Sequence, residues 1–355
     1  MRTALDAVPA ADRAILESAA VRIRAFARAQ REALLDTEIA IPGGRAGHRF
    51  IPLARAGCYV PGGRYPLPSS LLMTAITARV AGVASVVVAT PRPTPVTLAA
   101  AAIAGADVVL AAGGAHAVAA LSYGVEALPP VDIIVGPGNR WVTAAKQLVS
   151  GRTAIDMLAG PSELTVLADD SADPALIAAD LLAQSEHDTD AVPVLVTPSR
   201  GLIERVNEEL PRQLATLPTA AVARAALANG AAVLAASLDD AITLTNAIAP
   251  EHLEVMVADA DAVVPRLTAY GALFIGSHAA EVLGDYGAGP NHVLPTGGTA
   301  RWAAGLSVLN FLRARTWMRI DDPAAAAGLA REIAAFARLE GLEAHARAAD
   351  RRAVT

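Results

Sequence analysis

The sequence predicts an α/β fold with two incomplete Rossmann-like, doubly wound domains and a C-terminal helical tail. Short runs rich in β-branched residues are apolar on both faces, as parallel strands covered by helices require. These runs alternate with alanine-rich stretches of helical length. A hydrophobic content of 54% against 18% charged residues excludes a disordered chain and is sufficient for cores of this kind.

The apolar runs that predict strands follow one another along the middle of the chain, at residues 86–89, 108–110, 133–135, 164–167, 194–196 and 273–275. Helices are predicted between them, at residues 68–81, 173–187, 202–217 and 239–247. We group these units into a discontinuous first α/β domain of residues 1–58 plus 162–306, a second Rossmann-like domain of residues 59–161, and a tail of residues 307–355.

Charge and composition exclude several classes of protein. The net charge of −6, with Lys146 as the only lysine, disfavours a nucleic-acid partner, which needs clustered basic residues. Cys58 is the only cysteine, so no disulfide framework is possible, and a reducing, cytoplasmic location is expected. The most apolar stretch, residues 98–121, contains Asp107 and His116, which favours buried α/β segments over a membrane helix.

Polar residues are scarce, and four of the seven histidines lie in short polar islands. A helix over residues 176–187 places Gln184 and His187, three residues apart, on one face. An amide oxygen and an imidazole nitrogen are an incomplete ligand set for zinc, and Asp285 and His345 could complete it. By itself, this pair could equally be a helix end capped and solvated by polar residues.

No Gly-x-Gly-x-x-Gly motif for a dinucleotide is present. The glycine turns at residues 61–63 and 136–138 are predicted loops at strand ends, where a ligand could bind. Tight turns explain these glycines equally well.

Taken together and in order, the islands resemble the histidinol dehydrogenase family along nearly the whole chain. The matching segments are residues 59–63 (YVPGG), 68–70 (PSS), 136–139 (GPGN), 159–163 (AGPSE), 184–187 (QSEH), 249–254 (APEHLE), 289–295 (GPNHVLP) and 340–342 (EGL) followed by His345.

The resemblance implies a zinc- and NAD-dependent, four-electron oxidation of L-histidinol to L-histidine through L-histidinaldehyde, a step of histidine biosynthesis. It implies His252 as the base and Glu251 as the group that activates water. One Zn²⁺ per subunit would have four ligands, Gln184, His187, Asp285 and His345. Substrate contacts would be Ser162, Gln184, His187, His252, Asp285, His292, Glu340 and His345, and NAD contacts would be Tyr59, His116 and Asn139. The resemblance also implies a homodimer with shared active sites, in which the tail bearing Glu340 and His345 reaches the partner subunit.

The chain departs from the family pattern at two places. His116 stands where the family has glutamine, which changes the reach and the titration of a contact to NAD. The resemblance is also to a short form that lacks the usual N-terminal region. These departures leave a related enzyme for another small polar alcohol, such as a sulfonated diol, as an alternative, although Glu340 and His292 argue for histidinol. An inactive homologue acting as a binding or regulatory subunit is a further alternative, but Glu251 and His252 are both retained.

Overall fold

The computed structural model describes residues 1–62 and 65–353. Gly63, which belongs to the predicted glycine turn at residues 61–63, lies outside the described residues. The chain forms two compact units, one of residues 1–29 with 53–311 and one of residues 30–52 with 312–355.

The α-helices are α1 (Arg2–Ala7), α2 (Ala10–Glu32), α3 (Pro68–Ala81), α4 (Pro95–Ala104), α5 (Gly114–Tyr123), α6 (Arg140–Val149), α7 (Pro174–Ser185), α8 (Arg200–Leu214), α9 (Ala220–Leu227), α10 (Leu238–Ile248), α11 (Ala260–Val263), α12 (Glu281–Asp285), α13 (Pro323–Leu339) and α14 (Glu343–Asp350). The strands are β1 (Thr37–Ile41), β2 (Gly44–Pro52), β3 (Arg55–Tyr59), β4 (Ser85–Ala89), β5 (Val108–Leu110), β6 (Ile133–Val135), β7 (Ala154–Ile155), β8 (Glu163–Ala168), β9 (Val192–Thr197), β10 (Ala231–Leu234), β11 (His252–Met256), β12 (Ala272–Ile275) and β13 (Leu312–Ile320).

The larger unit contains two parallel five-stranded sheets with the same topology. The first has the order β5-β4-β3-β6-β7 and the second has the order β10-β9-β8-β11-β12. Every neighbouring pair in both sheets is parallel. In each sheet the order reverses beside the first strand in sequence, which is the arrangement of a doubly wound fold. The predicted fold class is therefore confirmed.

Helices cover the sheets because their sequences are apolar on a broad face. In α3 the side chains of Leu71, Met73 and Ile76 are all fully buried, as expected for a helix that is apolar nearly all round. The helix that leads to the candidate site, α7, begins where Asp173 caps the N–H of Ala175, and proline at its first position lacks the N–H that would otherwise need a partner.

The smaller unit has an antiparallel sheet of order β1-β2-β13. Its helices α13 and α14 pack through small side chains, Ala334, Ala337 and Ala346. The C-terminal segment therefore contains a strand, β13, besides its helices. Most residues of β13 are exposed, so its sequence shows little alternation of apolar and polar residues. The sequence pattern therefore does not indicate this strand.

All six predicted strands and all four predicted helices are present, with ends that shift by up to three residues. The apolar residues 98–121 divide among α4, β5 and α5, and within the described residues no helix has the length and hydropathy to cross a membrane. The division of the chain into functional domains stays a prediction.

The glycine turn after β6 is held by the only lysine of the chain. The Lys146 ammonium donates to the Gly136 carbonyl oxygen (3.0 Å) and pairs with Asp156, whose carboxylate accepts from the Gly136 N–H (2.6 Å). Both side chains of the pair are almost completely buried. Gly136 has φ +111°, and a Cβ there would lie 2.1 Å from the Tyr59 carbonyl oxygen, so only glycine fits between the two strand ends.

Gly136→Ala is expected to destabilise the protein by about 1–3 kcal/mol or more, because it adds backbone strain to a clash with backbone atoms. Gly151→Ala is the matched control, since its Cβ would meet no atom within 4 Å. Denaturant unfolding measures both variants. Equal stability of the two variants would contradict the close approach at Gly136.

Candidate functional site

The first group of site residues lies where two neighbouring strands of the second sheet begin. Ser162 immediately precedes β8, and Glu251 immediately precedes β11. His252, the first residue of β11, is paired with Leu164 of β8. Ser162, Glu251 and His252 therefore lie together at the amino edge of this sheet. This is the opposite edge from the one where doubly wound folds usually bind ligands.

A tight turn delivers Glu251 and His252 to this edge. Ala249 caps the C-terminus of α10; it is fully buried and has φ 52°. Positive φ is uncommon for a residue other than glycine, and such strain often occurs at functional sites. Pro250 follows the cap and cannot continue the helix, and β11 starts two residues later.

The tautomer of His252 follows from its hydrogen bond. Its Nδ1 lies 3.1 Å from the carbonyl oxygen of Glu163, which can only accept, so Nδ1 carries the hydrogen. Nε2 then keeps its lone pair, and it is buried without a hydrogen-bond partner. Burial lowers the pKa of His252 to about 4. The ring is therefore neutral at working pH, with one nitrogen available as a base.

Glu251 is a buried carboxyl group beside this imidazole. It accepts hydrogen bonds from the Ser162 hydroxyl (2.6 Å) and from the Glu163 N–H (3.0 Å), and one of its oxygens lies 3.7 Å from Nδ1 of His252. Burial raises the pKa of Glu251 to about 8, against the opposing effect of those hydrogen bonds. A carboxyl group that titrates near working pH can take up and return a proton.

His292 repeats the arrangement of His252. Its Nδ1 lies 3.0 Å from the carbonyl oxygen of Asp285, so this nitrogen is the donor and Nε2 is again buried without a partner. Burial lowers the pKa of His292, with Asp285 opposing that shift. Two neutral imidazoles therefore present free acceptor nitrogens at the site.

A candidate metal centre lies beside these imidazoles. The ligand atoms of His187, Glu281 and Asp285 all lie within 4.8 Å of one another. Nε2 of His187 is 3.6 Å from Glu281 and 3.5 Å from Asp285. Nε2 of His252 is 4.0 Å from Asp285. Imidazole and carboxylate groups are donors that zinc prefers, and the two unpartnered imidazole nitrogens nearby are consistent with a site built for a cation or a polar ligand.

Gln184 is fully buried beside this cluster. One atom of its amide faces both carboxylate oxygens of Glu281, at 3.2 and 3.1 Å, and because those oxygens accept we assign this atom as the nitrogen, which places Oε1 3.1 Å from the Ser162 hydroxyl. The predicted helix through His187 is wrong at its end, since α7 stops at Ser185. His187 instead lies in the turn that follows, where its N–H reaches the Gln184 carbonyl oxygen, and the structure still brings both residues to the cluster.

The three residues predicted to contact NAD follow the carboxyl ends of strands in the first sheet. Tyr59 ends β3, Asn139 follows β6, and His116 is an exposed residue of α5 after β5. The hydroxyl of Tyr59 accepts from the Gly114 N–H (3.1 Å). Asn139 caps α6 through Oδ1, which leaves its amide nitrogen as the donor available to a ligand. This edge includes the β3/β6 switch point, so a dinucleotide fits the fold here without a glycine fingerprint.

Glu340 and His345 belong to the smaller unit. Glu340 follows the last residue of α13, and His345 lies in the first turn of α14.

Sequence patterns did not indicate three further carboxyl groups near the site, those of the buried Glu281 and Glu254 and of the half-buried Asp180. Glu281 lies four residues before Asp285, and this spacing places two side chains on one helix face. That spacing was the available signal, but α12 is too short to be recognised from its periodicity.

Fold and site together define an α/β enzyme that has a candidate metal centre next to a buried acid–base pair. The family model described as histidinol dehydrogenase matches residues 1–353. The chain therefore belongs to the histidinol dehydrogenase family.

Individual relatives agree with this family. A histidinol dehydrogenase of Thermus thermophilus is 50% identical over 339 residues, which cover 95% of this chain and 81% of the relative. One of Pseudomonas aeruginosa is 45% identical over 357 residues, covering 99% and 81%. The crystal structure of histidinol dehydrogenase from Elizabethkingia anophelis superposes with a TM-score of 0.94 at 33% identity, covering 99% of this chain and 82% of that one.

The carboxyl groups of the half-buried Asp180 and the buried Glu254 predict how stability depends on pH. Burial raises both pKa values, to about 6 for Asp180 and about 8 for Glu254, and the nearby charge of Asp180 adds to the shift of Glu254. Because the pKa values of both groups in the unfolded chain are about 4, the folded state holds protons that the unfolded state loses. The pair's contribution to stability is therefore complete below about pH 4 and is lost as pH rises toward 8.

The free energy of unfolding of the metal-free protein, measured from pH 5 to 8, should fall more steeply for the parent than for Glu254→Gln. The variant keeps an acceptor for the N–H that Glu254 binds but has no proton to lose. Parallel pH profiles of the two proteins would show that the pair does not hold a proton.

Proposed function

We propose that this chain oxidises L-histidinol to L-histidine in two successive NAD-dependent steps, through L-histidinaldehyde. The observation that supports this most strongly is the placement of a neutral imidazole, His252, and a titratable carboxyl group, Glu251, beside the cluster of His187 and Asp285. A base and a water-activating group at one metal-centred site are what a four-electron oxidation of an alcohol requires.

Zinc would be held by Gln184, His187 and Asp285, together with His345, in line with the oxygen and nitrogen donors these side chains offer. When bound, it supplies a positive centre that anchors the amino group and the imidazole of histidinol, a templating role. Ser162, His292 and Glu340 complete the substrate contacts. Glu340 favours histidinol over alcohols without a ring nitrogen to pair with it, because a carboxylate left unpaired is unfavourable.

In the first step, Nε2 of His252 takes the hydroxyl proton of histidinol as the carbon-bound hydrogen leaves as a hydride. Tyr59, His116 and Asn139 would hold NAD, which would supply the hydride acceptor for both steps. In the second step Glu251 takes a proton from water as the water adds to the aldehyde carbon. His252 then accepts the hydroxyl proton of the hydrate as the second hydride leaves, and the product is a carboxylate. The sum is one alcohol, two NAD⁺ and one water giving one carboxylate, two NADH and three protons.

The proposal includes a homodimer in which the tail of each copy supplies Glu340 and His345 to the site of the other. Residues 59–161 would contribute the NAD contacts, and residues 162–306 with 1–58 would contribute the metal and catalytic groups. A single buried cysteine, Cys58, fits the cytoplasmic location that we propose.

The test of this function is the amount of NADH formed per histidinol consumed by zinc-loaded protein, with a sulfonated diol assayed in parallel. Two NADH per histidinol are expected, because aldehyde and alcohol are oxidised at one site. A ratio of one would contradict the second step. Turnover of the diol without turnover of histidinol, by folded and zinc-loaded protein, would assign a different substrate to the same framework.

His252→Asn should lower the turnover number by about 10²–10⁴-fold, because it removes a general base. Zinc content and thermal stability should change little, since the variant removes no proposed ligand. His278→Asn is the control, because His278 is an exposed histidine of the same unit. Unchanged turnover in His252→Asn would exclude the base role.

A further inference from the structure

The carboxylate of Glu281 has a place in the site that the proposed ligand set does not use. Its residue is 2% exposed, and its side chain lies within 4 Å of ring nitrogens of both His187 and His252. Together with Asp285 and His187 it forms the group of side chains able to hold a cation. It can therefore act either as a ligand itself or through another ligand.

The contacts of Gln184 favour action through that residue. An amide can ligate a metal through its oxygen only, because its nitrogen has no free lone pair. The amide is fully buried, so its nitrogen needs an acceptor. Both oxygens of Glu281 lie at hydrogen-bond distance from one atom of the Gln184 amide, and since carboxylate oxygens accept, we assign this atom as the nitrogen.

The oxygen of Gln184 is left available by the same arrangement. It lies 3.1 Å from the Ser162 hydroxyl, but that hydroxyl has one hydrogen and donates to Glu251 at 2.6 Å. While the Ser162 hydroxyl donates to Glu251, it cannot also donate to Oε1 of Gln184. A carbonyl oxygen held in this way is suited to a cation.

Glu281 is itself held from the second sheet. Its N–H donates to the carboxyl group of Glu254 (2.8 Å), a fully buried residue of β11, two positions beyond His252. This hydrogen bond links β11, which begins with His252, to α12, which carries Asp285.

We propose that Glu281 is a positioning residue that orients the amide of Gln184 so that its oxygen ligates the metal, with Glu254 fixing Glu281 in place. This rests on the proposed metal site. Partners of this kind orient metal ligands in many proteins, and their loss typically weakens metal binding about 10–100-fold.

The experiment measures zinc affinity by competition with a chromophoric chelator, in the full-length protein without histidinol or NAD. Glu281→Ala is expected to bind zinc about 10–100-fold more weakly. Glu281→Gln should recover most of that loss, because its amide oxygen still accepts from Gln184. Glu186→Ala is the control, since the Glu186 carboxylate accepts from Thr219 and leaves the Gln184 amide untouched.

A double-mutant cycle separates positioning from ligation. If Glu281 acts through Gln184, then Glu281→Ala causes no further loss of zinc affinity in a Gln184→Ala background. Asp285→Asn, which changes a proposed ligand, should weaken zinc binding in the Gln184→Ala background by the same factor as in the parent protein. Full additivity for Glu281→Ala, or an equal loss in Glu281→Gln and Glu281→Ala, would overturn the proposal and make Glu281 a ligand.

The absorption spectrum of the Co²⁺-loaded protein gives a second readout. It should be unchanged in Glu281→Gln if the ligand set is intact, and a shift of the cobalt bands would contradict the positioning role. Neither readout depends on turnover, so protein that binds zinc as expected but leaves histidinol unoxidised would refute the proposed function while still testing the role of Glu281.

Discussion

The burial of ionisable groups at the amino edge of the second sheet is the constraint on which the site depends. Glu251, His252, Glu254 and Glu281 are each at most 6% exposed, and an uncompensated buried charge is strongly unfavourable. The structure meets this constraint with neutral groups. Burial lowers the pKa of His252 and raises that of Glu251, so the resting site holds a free base and a protonatable acid. The chemistry that we propose uses the free imidazole of His252 and the ionised form of Glu251, which a pKa of about 8 makes accessible near working pH.

Backbone groups set the orientation of the two buried imidazoles. A carbonyl oxygen binds Nδ1 of His252 and another binds Nδ1 of His292, so in both rings the free nitrogen is Nε2. Since a carbonyl cannot donate, this assignment does not depend on pH or on a neighbouring side chain. The fold thus fixes the tautomer of the base before any ligand binds.

Much of this arrangement could be predicted from the sequence. Continuous β-branched runs such as residues 133–135 indicate buried parallel strands, and α3 begins and ends at the predicted residues, because a proline starts it and Gly82 ends it. The segments containing Gln184, His187, Glu251 and His252 carried the family resemblance, and the structure brings these residues together with Asp285.

Other features could not be predicted, because they depend on contacts distant in sequence. β11 was missed because its five residues include His252 and Glu254, which interrupt an apolar run, although all five are buried. The carboxylate of Glu281 was missed for the same reason, since its partner Gln184 is nearly a hundred positions away along the chain. The roles of Glu340 and His345, which belong to the other unit, rest on the resemblance alone.

The central claim is that one site separates two tasks, with His252 as the base and Glu251 as the group that activates water for the second oxidation. Supplying L-histidinol and L-histidinaldehyde separately to zinc-loaded Glu251→Gln, and following NADH in single turnovers, tests this division directly. The account predicts that Glu251→Gln lowers the rate of aldehyde oxidation by a much larger factor than the rate of alcohol oxidation. Equal losses in the two half-reactions would contradict it.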